Sequence, residues 1–254
     1  MRICRVAVGD ELSYGVLEGE AVALLSSHPF GPFEPDGRVL RVEEVRLLAP
    51  VLPSKVVAVG RNYAEHVREM GGDAPPSEPM VFLKPSTSVI GPGEPIALPW
   101  QSERVEHEAE LAVVIGRLCR DVPEDRVADV VLGYTCANDV TARDLQRADG
   151  QWGRAKGFDT FCPLGPWIET AFDPEDAAIE CQVNGESRQS GSTGDMVHSV
   201  TELVAWISSV MTLLPGDVIL TGTPAGVSAI TAGDVVRVTI DGIGTLENPV
   251  VDRV

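Results

Sequence analysis

The segment Val105–Gly116, VEHEAELAVVIG, decides the fold because its two halves differ in character. Its second half is continuously apolar, which is typical of a strand buried on both faces. Its first half places a Glu at every second position, so Glu106, Glu108 and Glu110 share one face of the same strand. The segment therefore predicts a core strand whose leading end carries acids.

Short strands outnumber helices along the chain and do not alternate regularly with them. Helical patterns are confined to NYAEHVREM (62–70), PEDRVADVV (123–131) and HSVTELVAWISSVM (198–211). This distribution favours an α+β, mostly-β architecture over a doubly wound sheet. A stretch dense in Pro and Gly (26–38) predicts a break between a small N-terminal β domain, residues 1–50, and a larger catalytic domain, residues 51–254.

The formal net charge of −18 argues against nucleic acid or an anionic membrane surface as a partner, because both would be repelled. No basic leader and no run of about 18 apolar residues is present, so we expect a cytoplasmic protein without a membrane span. The five cysteines are scattered and contain no C-x-x-C pair. They are interpreted as reduced, buried thiols rather than disulfides or zinc ligands.

A divalent cation site is predicted at Glu108, Glu110 and Asp139. Two carboxylates at i and i+2 of a strand have Cα atoms roughly 7 Å apart, so both can reach one cation. Asp139 follows the apolar run GYTCA, where a strand ends. Oxygen ligands alone suit magnesium, manganese or calcium. The alternative is an edge strand whose acids face water.

Two further groups of residues could carry chemistry. Arg143, Gln146 and Lys156 supply hydrogen-bond donors for a substrate carboxylate, although Arg143 could instead pair with a neighbouring Asp. His66 and Glu69 are three residues apart on a predicted helix, so Glu69 could orient His66 as a general base. The alternative is an ordinary pair on an exposed helix.

Six motifs together resemble the fumarylacetoacetate hydrolase family, from about residue 53 to the end. They are GRNYAEH (60–66), FLKP (82–85), HEAELAVVIG (107–116), GYTCANDVTARD (133–144), KGFDTFCPLGP (156–166) and PGDVILTGTPAGV (215–227). Within the family, GRNYAEHVREM, SEPMVFLKPSTS and DVTARDLQ are most similar to the branch of acylpyruvate hydrolases and oxaloacetate decarboxylases. The extra acid Glu106 and the short connection RADGQW (147–152) depart from the family pattern.

The resemblance implies a mixed β-sandwich roll, a homodimer, and one magnesium or manganese ion. On this chain the family's metal ligands fall on Glu108, Glu110 and Asp139, and its catalytic dyad falls on His66 and Glu69. Substrate contacts, with Lys156 also acting in catalysis, fall on Arg143, Gln146, Lys156 and Thr223.

The expected reaction is metal-dependent cleavage of a C–C bond in a small 2-oxo acid, by acylpyruvate hydrolysis, oxaloacetate decarboxylation or both. The first alternative is an isomerase of 2-hydroxyhepta-2,4-diene-1,7-dioate type, which would only move a proton. The second alternative is a non-catalytic metal-binding module.

Overall fold

The computed structural model describes residues 1–253, which form nineteen β-strands, four α-helices and short 3₁₀ segments. The strands are β1 (Arg2–Val8), β2 (Glu11–Glu18), β3 (Ala21–Leu25), β4 (Pro35–Arg41), β5 (Arg46–Leu48), β6 (Val56–Gly60), β7 (Met80–Lys84), β8 (Val89–Ile90), β9 (Ile96–Leu98), β10 (Val105–Glu106), β11 (Ala109–Ile115), β12 (Val131–Asn138), β13 (Thr141–Ala142), β14 (Cys162–Glu169), β15 (Ala178–Val183), β16 (Glu186–Ser192), β17 (Val218–Leu220), β18 (Val235–Ile240) and β19 (Gly244–Asp252). The helices are α1 (Ala64–Glu69), α2 (Arg143–Asp149), α3 (Gly153–Lys156) and α4 (Val200–Val210).

The strands form one large sheet, one sheet of five strands and a separate pair. The large sheet runs β4-β3-β2-β1-β14-β12-β11-β17-β6-β7, with β5 added on β1 and β8 added on β14. The five-stranded sheet runs β16-β15-β18-β19-β9, and β10 pairs with β13. This β-rich arrangement confirms the predicted α+β fold class.

Strand β11 lies inside the large sheet and is buried along its whole length. Leu111 and Val113 belong to the main apolar core, which they share with Val238 and Leu246 of the five-stranded sheet. Ala112 belongs to a second cluster on the opposite face. The continuous apolar run of the sequence is thus explained, because both faces of β11 pack against other apolar groups.

The N-terminal strands continue the large sheet, because β1 pairs antiparallel with β14. They also enclose an apolar cluster of their own, which includes Cys4, Val6 and Val22. The division into domains at residue 50 stays a prediction. All five cysteines are buried free thiols, and within residues 1–253 no helix has the length and apolarity needed to cross a membrane.

Three local predictions differ from the structure. The strand expected over residues 105–116 is interrupted at 107–108, because β10 leaves the sheet to pair with β13. Residues 124–129 form a 3₁₀ segment in place of an α-helix. Helices α2 and α3 were not expected, since their short polar sequences lack an apolar stripe.

Candidate active site

Three buried carboxylates meet where β11 begins and β12 ends. The ligand oxygens of Glu108, Glu110 and Asp139 all lie within 4.8 Å of one another, and each residue is at most 4% exposed. The antiparallel register places Ala109 opposite Asn138, and the Asp139 N–H donates to the Glu108 carbonyl at 2.8 Å. The strand pairing itself therefore brings the three predicted metal ligands together.

Two buried lysines contact this carboxylate cluster. Lys156 Nζ donates to Glu108 Oε2 and to Asp139 Oδ2, both at 2.6 Å. Lys84 Nζ donates to Asp139 Oδ1 at 2.5 Å from the end of β7. Lys156 was predicted as a site residue, whereas Lys84 was not. The signal for Lys84 was present in FLKP, where a lysine ends an otherwise apolar strand.

Arg143 joins the extra acid Glu106 to the cluster. Its Nε donates to Glu106 Oε2 at 2.6 Å, and its Nη2 donates to Glu108 Oε1. Burial opposes ionisation of Glu106, but Arg143 and Arg104 together outweigh it and lower the pKa of that carboxyl. Arg143 Nη1 donates to Gln146 Oε1 at 2.6 Å. Three of its five N–H donors are thus engaged within the protein, and the remaining two are the ones that a substrate could use.

Glu110 is the carboxylate of the cluster that no lysine or arginine contacts within residues 1–253. Its side chain accepts one hydrogen bond, from the Gly222 N–H at 2.7 Å. Burial, together with the neighbouring Asp139 and Glu108 carboxylates, raises the pKa of Glu110 well above its usual range. Burial also opposes ionisation of Glu108, but Lys156 and Arg143 outweigh it and lower the pKa of Glu108.

These carboxylates fit a hard divalent cation. The donor set contains oxygen atoms only, which suits magnesium or manganese. Glu110 lacks a compensating cation of the protein, and its crowding with two other carboxylates is the environment that a bound cation relieves. Gly222 allows this arrangement because its φ of +96° suits glycine, and a Cβ there would lie 2.8 Å from the Asn62 Cβ.

The predicted dyad is formed at helix α1. His66 Nδ1 lies 3.1 Å from Glu69 Oε2, and His66 is buried while lining the same cavity as the carboxylates. A carboxylate only accepts, so Nδ1 carries the proton and Nε2 keeps a free lone pair. The oxygens of Glu69 also accept the Gly226 N–H at 3.0 and 3.1 Å. Glu69 therefore orients His66 and ties α1 to the loop after β17.

Thr223 occupies the cavity wall at the start of this loop. Its hydroxyl donates to the Ala109 carbonyl at 2.8 Å and accepts from Gln189 Nε2 at 2.7 Å. Gln189 Oε1 in turn accepts the Ala109 N–H at 3.0 Å and lies 2.9 Å from His107 Nδ1. This buried network, which sequence patterns did not reveal, fixes Thr223 against the strand that carries the acids.

Eight of the nine predicted site residues line one cavity of about 220 Å³. The ninth, Glu69, does not line the cavity but contacts His66, which does. The buried end of the cavity is polar, and Val59, Phe82 and Trp152 form an apolar side. Phe82 and Trp152 contact each other edge to face, with centroids 5.3 Å apart. Two arginines that were not predicted, Arg61 and Arg147, also line the cavity and are exposed.

Comparison with known proteins identifies the class. Residues 55–251 match the family model described as fumarylacetoacetate (FAA) hydrolase C-terminal, and residues 1–50 match a model described as Rv2993c-like, N-terminal. The chain belongs to the fumarylacetoacetate hydrolase family, which confirms the predicted resemblance. It is a member of a family that contains tautomerases, isomerases and hydrolases.

Three relatives give the range of named activities. Oxaloacetate tautomerase YcgM of Escherichia coli is 45% identical over 74% of this chain and 89% of its own. The structure of 5-carboxymethyl-2-hydroxymuconate delta-isomerase from Mycobacterium smegmatis is 53% identical, with a TM-score of 0.94 and full coverage of both chains. Maleylpyruvate hydrolase from Sphingobium sp. SYK-6, solved with manganese and pyruvate, is 33% identical over 99% of each chain, with a TM-score of 0.82.

Proposed function

We propose that this protein is a magnesium- or manganese-dependent enzyme that moves a proton at the carbon next to the 2-oxo group of a small 2-oxo acid. The keto–enol tautomerisation of oxaloacetate is the specific reaction that we propose. The observation that carries the proposal is His66, whose Nδ1 is held by Glu69 while Nε2 has no partner within residues 1–253. The name of the Escherichia coli relative supports the same reaction.

Glu108, Glu110 and Asp139 are the residues that would hold the metal. A divalent cation bound there would supply Lewis acidity, which would make the C–H bond next to the 2-oxo group easier to break. Phe82 and Trp152 form the apolar side of the small cavity in which that bond would lie.

His66 transfers the proton, and Lys156 stabilises the charge that develops during the transfer. His66 Nε2 accepts the proton from the substrate carbon, Glu69 stabilises the imidazolium that results, and the imidazolium then gives the proton to the 2-oxo oxygen to form the enol. Burial disfavours a charged Lys156, but Asp139 and Glu108 outweigh it and raise the pKa of the ammonium group. Lys156 therefore stays protonated and stabilises the negative charge that develops on the 2-oxo oxygen.

Cleavage of a C–C bond by water is the second candidate function. It is favoured by the maleylpyruvate hydrolase that resembles this chain over nearly its whole length. In that reaction His66 Nε2 would take a proton from water instead of carbon. Decarboxylation of oxaloacetate stays a prediction of the sequence. It does not require the His66–Glu69 pair as a general base, because no proton is removed from substrate or water.

The test is product analysis by NMR with the purified protein, magnesium or manganese, and three substrates. We expect faster ketonisation of enol-oxaloacetate, without pyruvate formation. Pyruvate and acetate from acetylpyruvate would favour the hydrolase, and carbon dioxide from oxaloacetate the decarboxylase. Turnover of 2-hydroxyhepta-2,4-diene-1,7-dioate alone would favour the isomerase. A non-catalytic module predicts no turnover, together with a lower melting temperature for Glu108→Ala.

A further inference from the structure

Two arginines on the solvent side of the cavity lack an internal partner. Arg61 and Arg147 both line the cavity and are exposed, and neither forms an ion pair or a side-chain hydrogen bond within residues 1–253. The cations deeper in the same cavity differ, because Lys156 and Arg143 are already bonded to carboxylates. The guanidinium groups of Arg61 and Arg147 are therefore free to bind an anion that enters the cavity.

The backbone at Arg61 is held in a conformation that arginine rarely adopts. Its φ is +60°, in the left-handed region. The next residue fixes this turn, because Asn62 Nδ2 donates to the Thr221 and His198 carbonyls at 2.8 and 3.0 Å, and Asn62 Oδ1 accepts the His198 N–H at 2.8 Å. Strained backbone conformations that the surrounding structure enforces cluster at active sites and ligand-binding sites.

The charge of the protein makes a local cation necessary for a dianionic substrate. The net charge of −18 repels such a molecule at long range. At the buried end of the cavity, the charges of Lys84, Lys156 and Arg143 are already paired with the carboxylates of Glu108 and Asp139. A second carboxylate at the other end of a substrate would need cations of its own.

We infer that Arg61 and Arg147 bind the distal carboxylate of a dicarboxylic 2-oxo acid and so determine the substrate class. The inference rests on the proposed function, since it takes the metal end of the cavity as the place of the 2-oxo acid group. A planar guanidinium binds a carboxylate through two parallel hydrogen bonds, so Arg61 selects a dicarboxylate over the matching monocarboxylate.

The test compares two inert analogues that differ only in the distal carboxylate, malate and lactate. Binding to the magnesium-loaded protein is measured by calorimetry. We expect malate to bind about 10- to 100-fold more tightly than lactate, the effect of one or two charge-assisted hydrogen bonds. Arg61→Gly should remove most of this preference and leave lactate binding unchanged, Arg147→Gln should reduce it, and Arg61→Lys should keep part of it.

A loss of malate binding in Arg61→Gly could not be explained by misfolding, because glycine accepts a positive φ without strain. The melting temperature of this variant should equal or exceed that of the parent. The control Arg68→Gln removes an exposed arginine of α1 that does not line the cavity. Equal affinity for malate and lactate in the parent, or an equal loss of both in Arg61→Gly, would overturn the inference.

The experiments distinguish a failure of the proposed function from a failure of this inference. If the parent prefers malate and Arg61→Gly does not, but no 2-oxo acid is turned over, the proposed reaction is wrong and the carboxylate site stands. If oxaloacetate is tautomerised with the same KM by the parent, Arg61→Gly and Arg147→Gln, the reaction stands and the carboxylate site is wrong.

Discussion

Nδ1 of His66 lies 3.1 Å from Oε2 of Glu69, and the same carboxylate accepts the N–H of Gly226. Helix α1 spans only six residues, too few to be stable alone. Contacts to the rest of the protein must therefore set the position of the base. Glu69 supplies one such contact and also selects the tautomer of His66.

Glu69→Gln should lower kcat strongly while changing KM little. The glutamine side chain is neutral, so it cannot stabilise the His66 imidazolium as the carboxylate does. We expect a loss of about 10²- to 10⁴-fold in kcat, as for removal of a positioned general base, and a comparable loss for His66→Gln. Steady-state kinetics measure both, with Arg68→Gln as the control on the same helix. A Glu69→Gln variant with the parent kcat would contradict the role of the pair.

Metal binding should release a proton from Glu110. The folded-state pKa of Glu110 is raised above its ordinary value of 4.5 by burial and by the Asp139 and Glu108 carboxylates. The native state thus binds more protons than the unfolded state between the two pKa values, so the metal-free protein loses stability as the pH rises through that window. A cation requires the ionised carboxylate, so binding in the window releases about one proton.

Calorimetry of magnesium binding in buffers of different ionisation enthalpy measures this release. Glu110→Gln should abolish it, weaken metal binding, and raise the stability of the metal-free protein at neutral pH. Glu18→Gln, an exposed acid of β2 without a partner in residues 1–253, is the control. Binding heats that are independent of the buffer in the parent would refute the assignment.

Lys84→Met should destabilise the metal-free protein and strengthen metal binding. The substitution leaves the buried Asp139 carboxylate without the ammonium group that lies 2.5 Å from its Oδ1. Breaking a buried ion pair costs about 3–5 kcal/mol when the remaining charge has no other partner. Lys156 still donates to Asp139, so we expect a smaller loss, and magnesium should stabilise the variant more than it stabilises the parent. Urea unfolding with and without magnesium measures both effects. Lys55→Met, which breaks the ion pair to Asp217 outside the cavity, should be destabilising without this response to magnesium.

Gln189→Ala should lower both stability and activity, although Gln189 does not line the cavity. It leaves the Ala109 N–H and His107 Nδ1 without their partner and frees Thr223. Each buried group left unsatisfied costs about 1–3 kcal/mol. Chemical denaturation and kcat are the measurements, and Gln182→Ala on β15 is the control, since its amide donates to Glu180 at a partly exposed position. Unchanged kcat would mean that the network is structural only.

Local patterns were sufficient to predict the buried strand β11 and the carboxylate cluster. The apolar run of β11 and the period of two place Glu108 and Glu110 together, and Asp139 follows the neighbouring strand β12. The same pattern wrongly placed Glu106 beside Glu108 and Glu110. Residues 107–108 interrupt the strand, so Glu106 lies on β10 and contacts Arg143.

The contacts that the sequence did not predict join distant parts of the chain. Lys84 and Asp139 are 55 residues apart, and Glu69 and Gly226 are 157 apart. No spacing within one element encodes such pairs, which depend on the order of strands in the sheet. Arg61 was missed for another reason, since a positive φ at a non-glycine residue leaves no mark in the sequence. The expected homodimer stays a prediction.

The most direct test is solvent deuterium exchange at C3 of oxaloacetate, followed by NMR with the parent and with His66→Gln, each with magnesium and with a chelator. The parent with magnesium should exchange C3 protons well above the rate in buffer, and chelation or His66→Gln should return exchange to that rate. Magnesium affinity should be unchanged in His66→Gln, since His66 is not a ligand of the predicted metal site. Exchange by His66→Gln at the parent rate, or exchange that survives metal removal, would contradict metal-dependent proton transfer by His66.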